Sequence, residues 1–316
     1  MIGVRVLTLV GNDHSGFFRQ QVAGLRECGH TVDVLPLPGY SKEVNRTVGT
    51  YARYYLRAVA TTFGGYDLVH ANYGLTAPPA IIQALRPAVL TLWGSDLMGR
   101  YGSVSRLCGR FADEVVVMSE EMAAQYGRDC HVIPHGVDLE LFRPLPTDVA
   151  RREVDWAPDG RHVLFPYDPD RAVKDFPRAK RIVDRMRSSI DPSITLHTVS
   201  GVPHESMPLY MNAADVLLLT SEREGMPNSV KEAMACNLPV VATRVSDLAT
   251  LLADVSPSIA HDDDDVLADA LTEILREGDR SDGRAVVEPI GVDAQIGKLE
   301  AVYRRALGAT SEDQVE

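Results

Sequence analysis

The stretch Ser221–Thr243, SEREGMPNSVKEAMACNLPVVAT, decides how this chain is read. It follows an apolar run, Val216–Leu219, that reads as a strand, and it passes through a short turn into a helix opening near Asn228. Glu224 stands before the turn and Glu232 a full turn inside the helix, eight positions further on. Between them, Gly225 lets backbone approach a ligand closely and Pro227 suits the start of a helix. The first N–H groups of a helix have no intrahelical acceptor, and with the helix dipole they form a ready anion site. A carboxylate on either side of that site binds neutral hydroxyls. Phosphate in the middle with hydroxyls at both ends is the pattern of a nucleotide sugar. A plain strand–helix unit with two solvated glutamates is the alternative, and it leaves Gly-x-Pro-Asn at the helix mouth unexplained.

Working outward, strand-like runs alternate with helical patterns over most of the 316 residues, which argues for a parallel α/β architecture in two domains. In the first half, strands are expected at Val4–Val10, Thr31–Leu35, Leu68–Ala71, Ala88–Leu92, Glu114–Met118 and His131–Ile133, with a helix over Phe18–Cys28. Phe142-Arg143-Pro144-Leu145-Pro146 reads as an extended linker. The expected domains are therefore 1–145 and 146–292, followed by a terminal helix in 293–316 with Ile296, Leu299, Val302 and Tyr303 at helical spacing. The second half restarts with strands at Val163–Tyr167 and Thr195–Val199, and continues past Val216 to Val240–Thr243 and a helix over Val266–Arg276.

Composition narrows the class. Hydrophobic residues at 45% and charged residues at 24% are those of a soluble globular protein, and no apolar run approaches the roughly 18 residues of a membrane span. Met1–Val10 is too short for a signal peptide and reads better as a first strand. The four cysteines form no Cys-x-x-Cys pair, so neither structural zinc nor a disulfide framework is expected, and a cytoplasmic location follows as the default. The net charge of −12 lies wholly after residue 145, which argues against nucleic acid as a partner. The run Asp262–Asp265 reads as a solvated loop or as an adaptation to a salty cytoplasm. Residues Glu43–Phe63 read as an amphipathic helix with Val44, Val48, Tyr51, Tyr55 and Val59 on one stripe, and Arg46, Arg53 and Arg57 elsewhere. Such a helix either packs on its own domain or makes a peripheral contact with an anionic membrane, which admits the inner face of the membrane as a location.

Glu224-Gly225-Met226-Pro227-Asn228, then Glu232-Ala233-Met234-Ala235-Cys236 and Leu238-Pro239-Val240-Val241-Ala242-Thr243, resembles the donor-site signature of family 4 (group 1) glycosyltransferases. The resemblance runs from Val4 to about Leu307. It implies the GT-B fold, two Rossmann-like α/β domains facing a cleft, and a retaining transfer from a nucleoside-diphosphate sugar to a glycan, a lipid-linked or a small-molecule acceptor. The glycine usual after Ala-Cys is Asn237 here. The resemblance makes Gly225, Met226, Pro227, Asn228, Ser229 and Glu232 donor-binding, Glu224 a ligand of the transferred sugar, and Glu232 a ligand of the ribose. Arg171 and Lys174, in FPYDPDRAVKDF after the Val163 strand, match the basic pair that neutralises the diphosphate, although the glycine-rich start of that loop is replaced by Pro166-Tyr167-Asp168-Pro169. Arg171, Lys174 and Glu224 are thus the expected catalytic set. Val202, in SGVPHESMPLYMNAAD, falls beside the base, and Gly16, in the first strand–helix loop, beside the diphosphate and sugar.

Asn72 in HANYGLTA and Trp93 and Asp96 in LWGSDLMG fall on the acceptor side; many relatives carry histidine where this chain has Trp93. His135 replaces an asparagine in VIPHGVD. Asp168-Pro169-Asp170 has the Asp-x-Asp form that holds metal in other transferases, but it lies in the basic loop, and neither metal nor cofactor is expected. A GT-B nucleotide-sugar epimerase and a silent nucleotide-sugar-binding subunit are the competing functions. A dinucleotide-dependent dehydrogenase is disfavoured because no Gly-x-Gly-x-x-Gly follows the first strand.

Overall fold

A computed structural model describes residues 3–39, 46–189 and 193–308. The chain divides into two compact units, one formed by the residues up to Gly136 together with those from Val292 onward, the other by Val137–Gly291. The first unit thus closes at Gly136 rather than at Leu145. The Phe142–Pro146 tract belongs to the second unit and is held there, because Phe142 is buried, its carbonyl accepts from Arg284 and Leu145 N–H donates to Asn212.

The first unit is built on β1 (Arg5–Val10), β2 (Thr31–Pro36), β3 (Leu68–Asn72), β4 (Ala88–Thr91), β5 (Glu114–Val117) and β6 (His131–Val132). All pair in parallel, in the order β2-β1-β3-β4-β5-β6. β3 and β4 are buried along their whole length, as strands covered on both faces must be. An imidazole buried in that core, His70, is fully satisfied: Nδ1 meets Tyr303 Oη at 2.7 Å and Nε2 meets Thr91 Oγ1 at 2.7 Å. Burial drives its pKa down to about 3, so it is neutral.

Tyr303 lies on the terminal helix Val292–Ala306, which buries Ile296, Leu299, Val302 and Tyr303, the spacing expected from the sequence, and packs on the helix Gly16–Glu27. Glu300 fixes it further by meeting His30 Nε2 at 2.9 Å. The helix Val48–Thr61 carries its fully buried side chains at Tyr54 and Ala58, so its inward stripe is rotated from the one expected: Val48 is exposed, and Tyr51, Tyr55 and Val59 are half-buried. Two phenols set that rotation, Tyr54 donating to Leu35 O and Tyr55 to Leu75 O. Glu43 and Val44 lie outside the described residues.

The second unit is built on β7 (Arg161–Phe165), β8 (Ile194–Thr198), β9 (Val216–Leu219), β10 (Val240–Ala242) and β11 (Ile259–Ala260), all parallel, in the order β11-β10-β9-β7-β8. Its strands alternate between two cores. Leu164, Leu217 and Leu219 join Val230, Ala233 and Met234 of the helix Asn228–Ala235 on one face. Val163, Phe165, Val216 and Leu218 join the helices Phe176–Ser189 and Asp264–Glu277 on the other. The Asp262–Asp265 run is exposed loop only over Asp262 and Asp263, and Asp264 and Asp265 open a helix. Asp263 caps the Asp264 helix by accepting from Asp265 N, and Asp264 and Asp265 pair with Arg178 and Arg185 of the facing helix. Acidic residues in a first helical turn also complement the helix dipole.

Both sheets change direction at their first strand, between β1 and β3 and between β7 and β9. In open parallel sheets ligands bind beyond the carboxyl ends of the strands at such a point. Among the described residues, no helix is long and apolar enough to cross a membrane.

A Cβ placed on Gly24 would lie 2.7 Å from Ile296 Cγ1. Gly24→Val is therefore expected to lower stability by about 1–3 kcal/mol through overpacking of the terminal helix. A calorimetric melting temperature equal to that of the wild type would show that the helix pair has slack.

Candidate active site

Beyond the carboxyl end of β7 the chain turns through Pro166–Asp170 into a short 3-10 segment, Ala172–Lys174. Beyond β9 it turns through Thr220 and Ser221 toward Glu224. Thr220 Oγ1 donates to the carbonyls of Lys174 and Asp175 at 3.0 and 2.9 Å, and Glu222 N–H donates to Val173 O at 3.0 Å. These bonds lock the two turns side by side and bring Lys174 Nζ onto Glu224 Oε1. Lys174 is only 4% exposed, and its ammonium lies 3.6 Å from the centroid of the Tyr167 ring. Burial depresses its pKa, and Glu224 acts against that depression. Ser221 Oγ donates to the same Glu224 oxygen at 2.7 Å, and the other carboxylate oxygen accepts no hydrogen bond from a described residue.

The helix Asn228–Ala235 opens directly after Pro227, which sits at the cap position with extended backbone and offers no side-chain cap. Its first N–H groups are therefore left for a ligand or solvent. Asn228 Oδ1 is buried with no hydrogen-bond partner. Ser229 Oγ is hydrogen-bonded to the Tyr167 hydroxyl. Gly225 is pinned by Ser246, whose hydroxyl donates to its carbonyl at 2.6 Å. Glu232 follows one turn along, its side chain 14% exposed and 3.6 Å from His204 Nε2. Burial raises its pKa to about 7, partly offset by the neighbouring charge of Lys231. Val202 follows Gly201, whose φ of 74° turns the chain, and packs against the core with Met207 and Tyr210.

Lys174, Glu224, Gly225–Ser229 and Glu232 therefore surround one helix mouth. Arg171 shares the Lys174 loop, is exposed, and has no carboxylate partner among the described residues. Asp168 and Asp170 form a local turn in which Asp168 Oδ1 accepts from Asp170 N. No group of three His, Cys, Asp or Glu residues suited to a metal occurs among the described residues. Tyr167, which touches both Lys174 and Ser229, was not singled out from the sequence; its only signal was a large ring in place of glycine.

The first unit presents its own set at the ends of β1, β3 and β4. Gly16 opens the helix Gly16–Glu27. Asn72 pairs in register with Thr91, the last residue of β4, and Trp93 lies two positions on. Both meet that helix. Trp93 packs edge-on against Phe17 at 4.9 Å, and Phe17 stacks on His135 at 4.0 Å. Asn72 joins a buried relay that runs from Gly136 N–H to Gln295 Oε1 (2.8 Å), Gln295 Nε2 to Gln21 Oε1 (3.2 Å), and Gln21 Nε2 to Asn72 Oδ1 (3.1 Å). A backbone N–H can only donate, so it sets the orientation of every amide after it and leaves Asn72 Nδ2 as a buried donor with no partner. Trp93 Nε1 is a second such donor.

Asp96 has a different task. Oδ1 accepts from the N–H groups of Trp93 and Gly94, and Oδ2 from Gly74 N–H, each at 2.9 Å. Burial raises its pKa while those backbone bonds lower it. The carboxylate ties the loops after β3 and β4 together and has both oxygens engaged. Gln21, Gln295 and the Phe17 ring were invisible to motif reading because their partners lie far away in sequence.

Two Rossmann-like sheets, with polar groups at the carboxyl ends of their strands and a Glu-x7-Glu pair astride a helix mouth, define a GT-B glycosyltransferase. The family model described as Glycosyltransferase Family 4 matches residues 3–141, and that described as Glycosyl transferases group 1 matches residues 175–277. The chain belongs to this family of glycosyltransferases. It is 25% identical to the D-inositol 3-phosphate glycosyltransferase of Xylanimonas cellulosilytica, over 96% of this chain and 82% of that protein. It is 28% identical to the putative teichuronic acid biosynthesis glycosyltransferase TuaC of Bacillus subtilis, over 67% of this chain and 62% of TuaC. Among solved structures, the sucrose-phosphate synthase of Thermosynechococcus elongatus superposes with a TM-score of 0.73 at 19% identity, over 97% of this chain and all (100%) of the other. Anabaena HepE in complex with UDP and glucose superposes with a TM-score of 0.70 at 16% identity, over 95% and 99%.

Asp96→Asn places an amide NH2 against at least one backbone N–H. The expected loss is about 1–3 kcal/mol, read from urea unfolding followed by circular dichroism. An unchanged midpoint would mean that the loop bonds are replaceable by water.

Proposed function

We propose that the protein transfers a hexose from a nucleoside-diphosphate sugar to a hydroxyl of its acceptor, with retention at the anomeric carbon and without a metal ion. The observation that carries this is the helix mouth at Asn228, with unpartnered N–H groups at its centre, the cations of Lys174 and Arg171 in the loop beside it, and a carboxylate at each end. Anabaena HepE, solved with UDP and with UDP-glucose, gives the reading a precedent in fold. A starch synthase of the same fold, solved with ADP, leaves the base open.

Each group then has a task. The first N–H groups of the helix and Ser229 receive diphosphate oxygens, and the two cations neutralise the charge that grows as the bond from the anomeric carbon to the phosphate oxygen breaks. The open oxygen of Glu224 accepts from hydroxyls of the sugar, and Glu232 accepts from those of the ribose. The Val202 turn offers backbone to the base. The acceptor hydroxyl bonds to the anomeric carbon on the face that the diphosphate leaves and gives its proton to a departing phosphate oxygen, so no protein nucleophile is required. Asn72 and Trp93 hold the acceptor with their buried N–H groups.

Calorimetric titration with UDP, GDP, ADP and their hexose conjugates, with EDTA present, tests this. One nucleotide is expected to bind, and Glu232→Ala to weaken it about tenfold or more, as loss of charge-assisted hydrogen bonds to two hydroxyls requires. No binding by any nucleotide would sink the proposal, and binding that EDTA abolishes would sink its metal-free form.

The titration of Glu232 adds a pH signature. With a pKa of about 7 the carboxyl is mostly protonated at pH 6 and mostly ionised at pH 8. Only the ionised form accepts from both ribose hydroxyls, so affinity is expected to rise by up to about tenfold between those values. Glu232→Gln is expected to flatten that rise, and a rise that survives in this variant would assign it to another group.

A further inference from the structure

One side chain at this mouth belongs to none of the tasks above. Tyr167 lies two positions past the end of β7, and its N–H donates to Phe165 O at 2.9 Å. The Phe165 ring meets it edge-on at 5.4 Å and an interplanar angle of 81°, which fixes where the phenol points. From there it reaches two separate elements. Lys174 Nζ sits 3.6 Å over its ring, and its hydroxyl is bonded to Ser229 Oγ in the first turn of the Asn228 helix.

The charges around this pair are few. Lys174 faces Glu224 and Arg171; Tyr167 faces Glu224, Glu232 and Arg171. Burial, with the two carboxylates, holds the phenol pKa well above its usual value, so the hydroxyl keeps its proton. Its one hydrogen-bond partner among the described residues is Ser229 Oγ, in a bond that either hydroxyl can donate, and we assign the phenol as the donor. A serine oxygen that receives one proton turns its own toward a third atom, here an oxygen at the helix mouth. The ring has an equally definite effect. An ammonium taken out of water is disfavoured, and the negative face of an aromatic ring returns part of that loss.

We propose that Tyr167 is a positioning residue for the diphosphate: its ring holds the Lys174 ammonium at the helix mouth, and its hydroxyl aims the Ser229 proton into the same space. The Ser229 half rests on the nucleotide-sugar reading above; the Lys174 half does not.

Two variants separate the halves. Tyr167→Leu removes ring and hydroxyl, Tyr167→Phe the hydroxyl alone, and Tyr167→Met repeats the ring deletion should the leucine variant not fold. The chain has five lysines, so the titration of Lys174 can be followed through its ε-carbon signal in lysine-labelled protein, assigned with Lys174→Arg. The midpoint is expected to move to lower pH in Tyr167→Leu and to stay in place in Tyr167→Phe. In calorimetry with UDP, Tyr167→Leu is expected to lose about tenfold in affinity, with its alkaline limb displaced in step with Lys174. Tyr167→Phe is expected to lose a few-fold with the limb unmoved, and to match both Ser229→Ala and the double variant.

A Lys174 midpoint identical in wild type and Tyr167→Leu would overturn the role of the ring. Additive losses in the Phe/Ala double variant, or no loss in Tyr167→Phe, would overturn that of the hydroxyl. Should UDP, GDP and ADP all fail to bind the wild type, the nucleotide-sugar reading and the Ser229 half fall together, while the Lys174 titration still decides the other half.

Discussion

A buried ammonium must be paired, and the donor-side loops are arranged around that requirement. Lys174 is almost fully removed from water, and a lone charge there would cost several kcal/mol. Glu224 and the Tyr167 ring supply the compensation, and Thr220 and Glu222 fix the backbone that presents both. Glu224 is held by the same arrangement, with one oxygen committed to Lys174 and Ser221 and the other left open. The cation proposed to meet the leaving group and the carboxylate proposed to meet the sugar are therefore set by a single contact. A mutation at either one reorganises the other, so their contributions to catalysis will not add.

The first unit solves a similar problem with neutral groups. A row of amides is ambiguous in itself, since each can turn over. Anchoring one end on the N–H of Gly136 removes the ambiguity through Gln295 and Gln21 to Asn72. The buried end of the row is then a donor, as is Trp93 Nε1 near it. A buried donor left without a partner costs roughly 1–3 kcal/mol, and an acceptor oxygen brought against it relieves that cost.

Much of this was legible in the sequence, for physical reasons that can be named. Parallel strands are continuous apolar runs, and the Val216 strand was found at its observed limits because four buried residues in a row admit little else. The Glu-x7-Glu helix is legible because glycine and proline stand between two carboxylates, from Glu224 to Glu232, just where a helix opens. Asn237 takes the left-handed conformation, with φ of 52°, that the glycine of its relatives would take. The two-residue strand Ile259–Ala260 was missed because two residues carry no periodicity. The acidic run was misread because its meaning lies in Arg178 and Arg185, some eighty residues earlier. The boundary at Gly136 was displaced because proline marks extended chain whether that chain is free or packed. Site residues that act through distant partners, Gln21 and Gln295 foremost, leave no local signature.

The placement of the Val292–Ala306 helix bears on how the molecule is made. A ribosome delivers the strands of the first unit early and the helix that completes it last. Until then His70 lacks the phenol of Tyr303, His30 lacks Glu300, and Gln21 lacks Gln295. The second unit, an unbroken stretch from Val137 to Gly291, has no such wait. The half synthesised later can therefore close first, and the half synthesised earlier remains a scaffold of unanswered polar groups until the final turns of helix emerge from the exit tunnel.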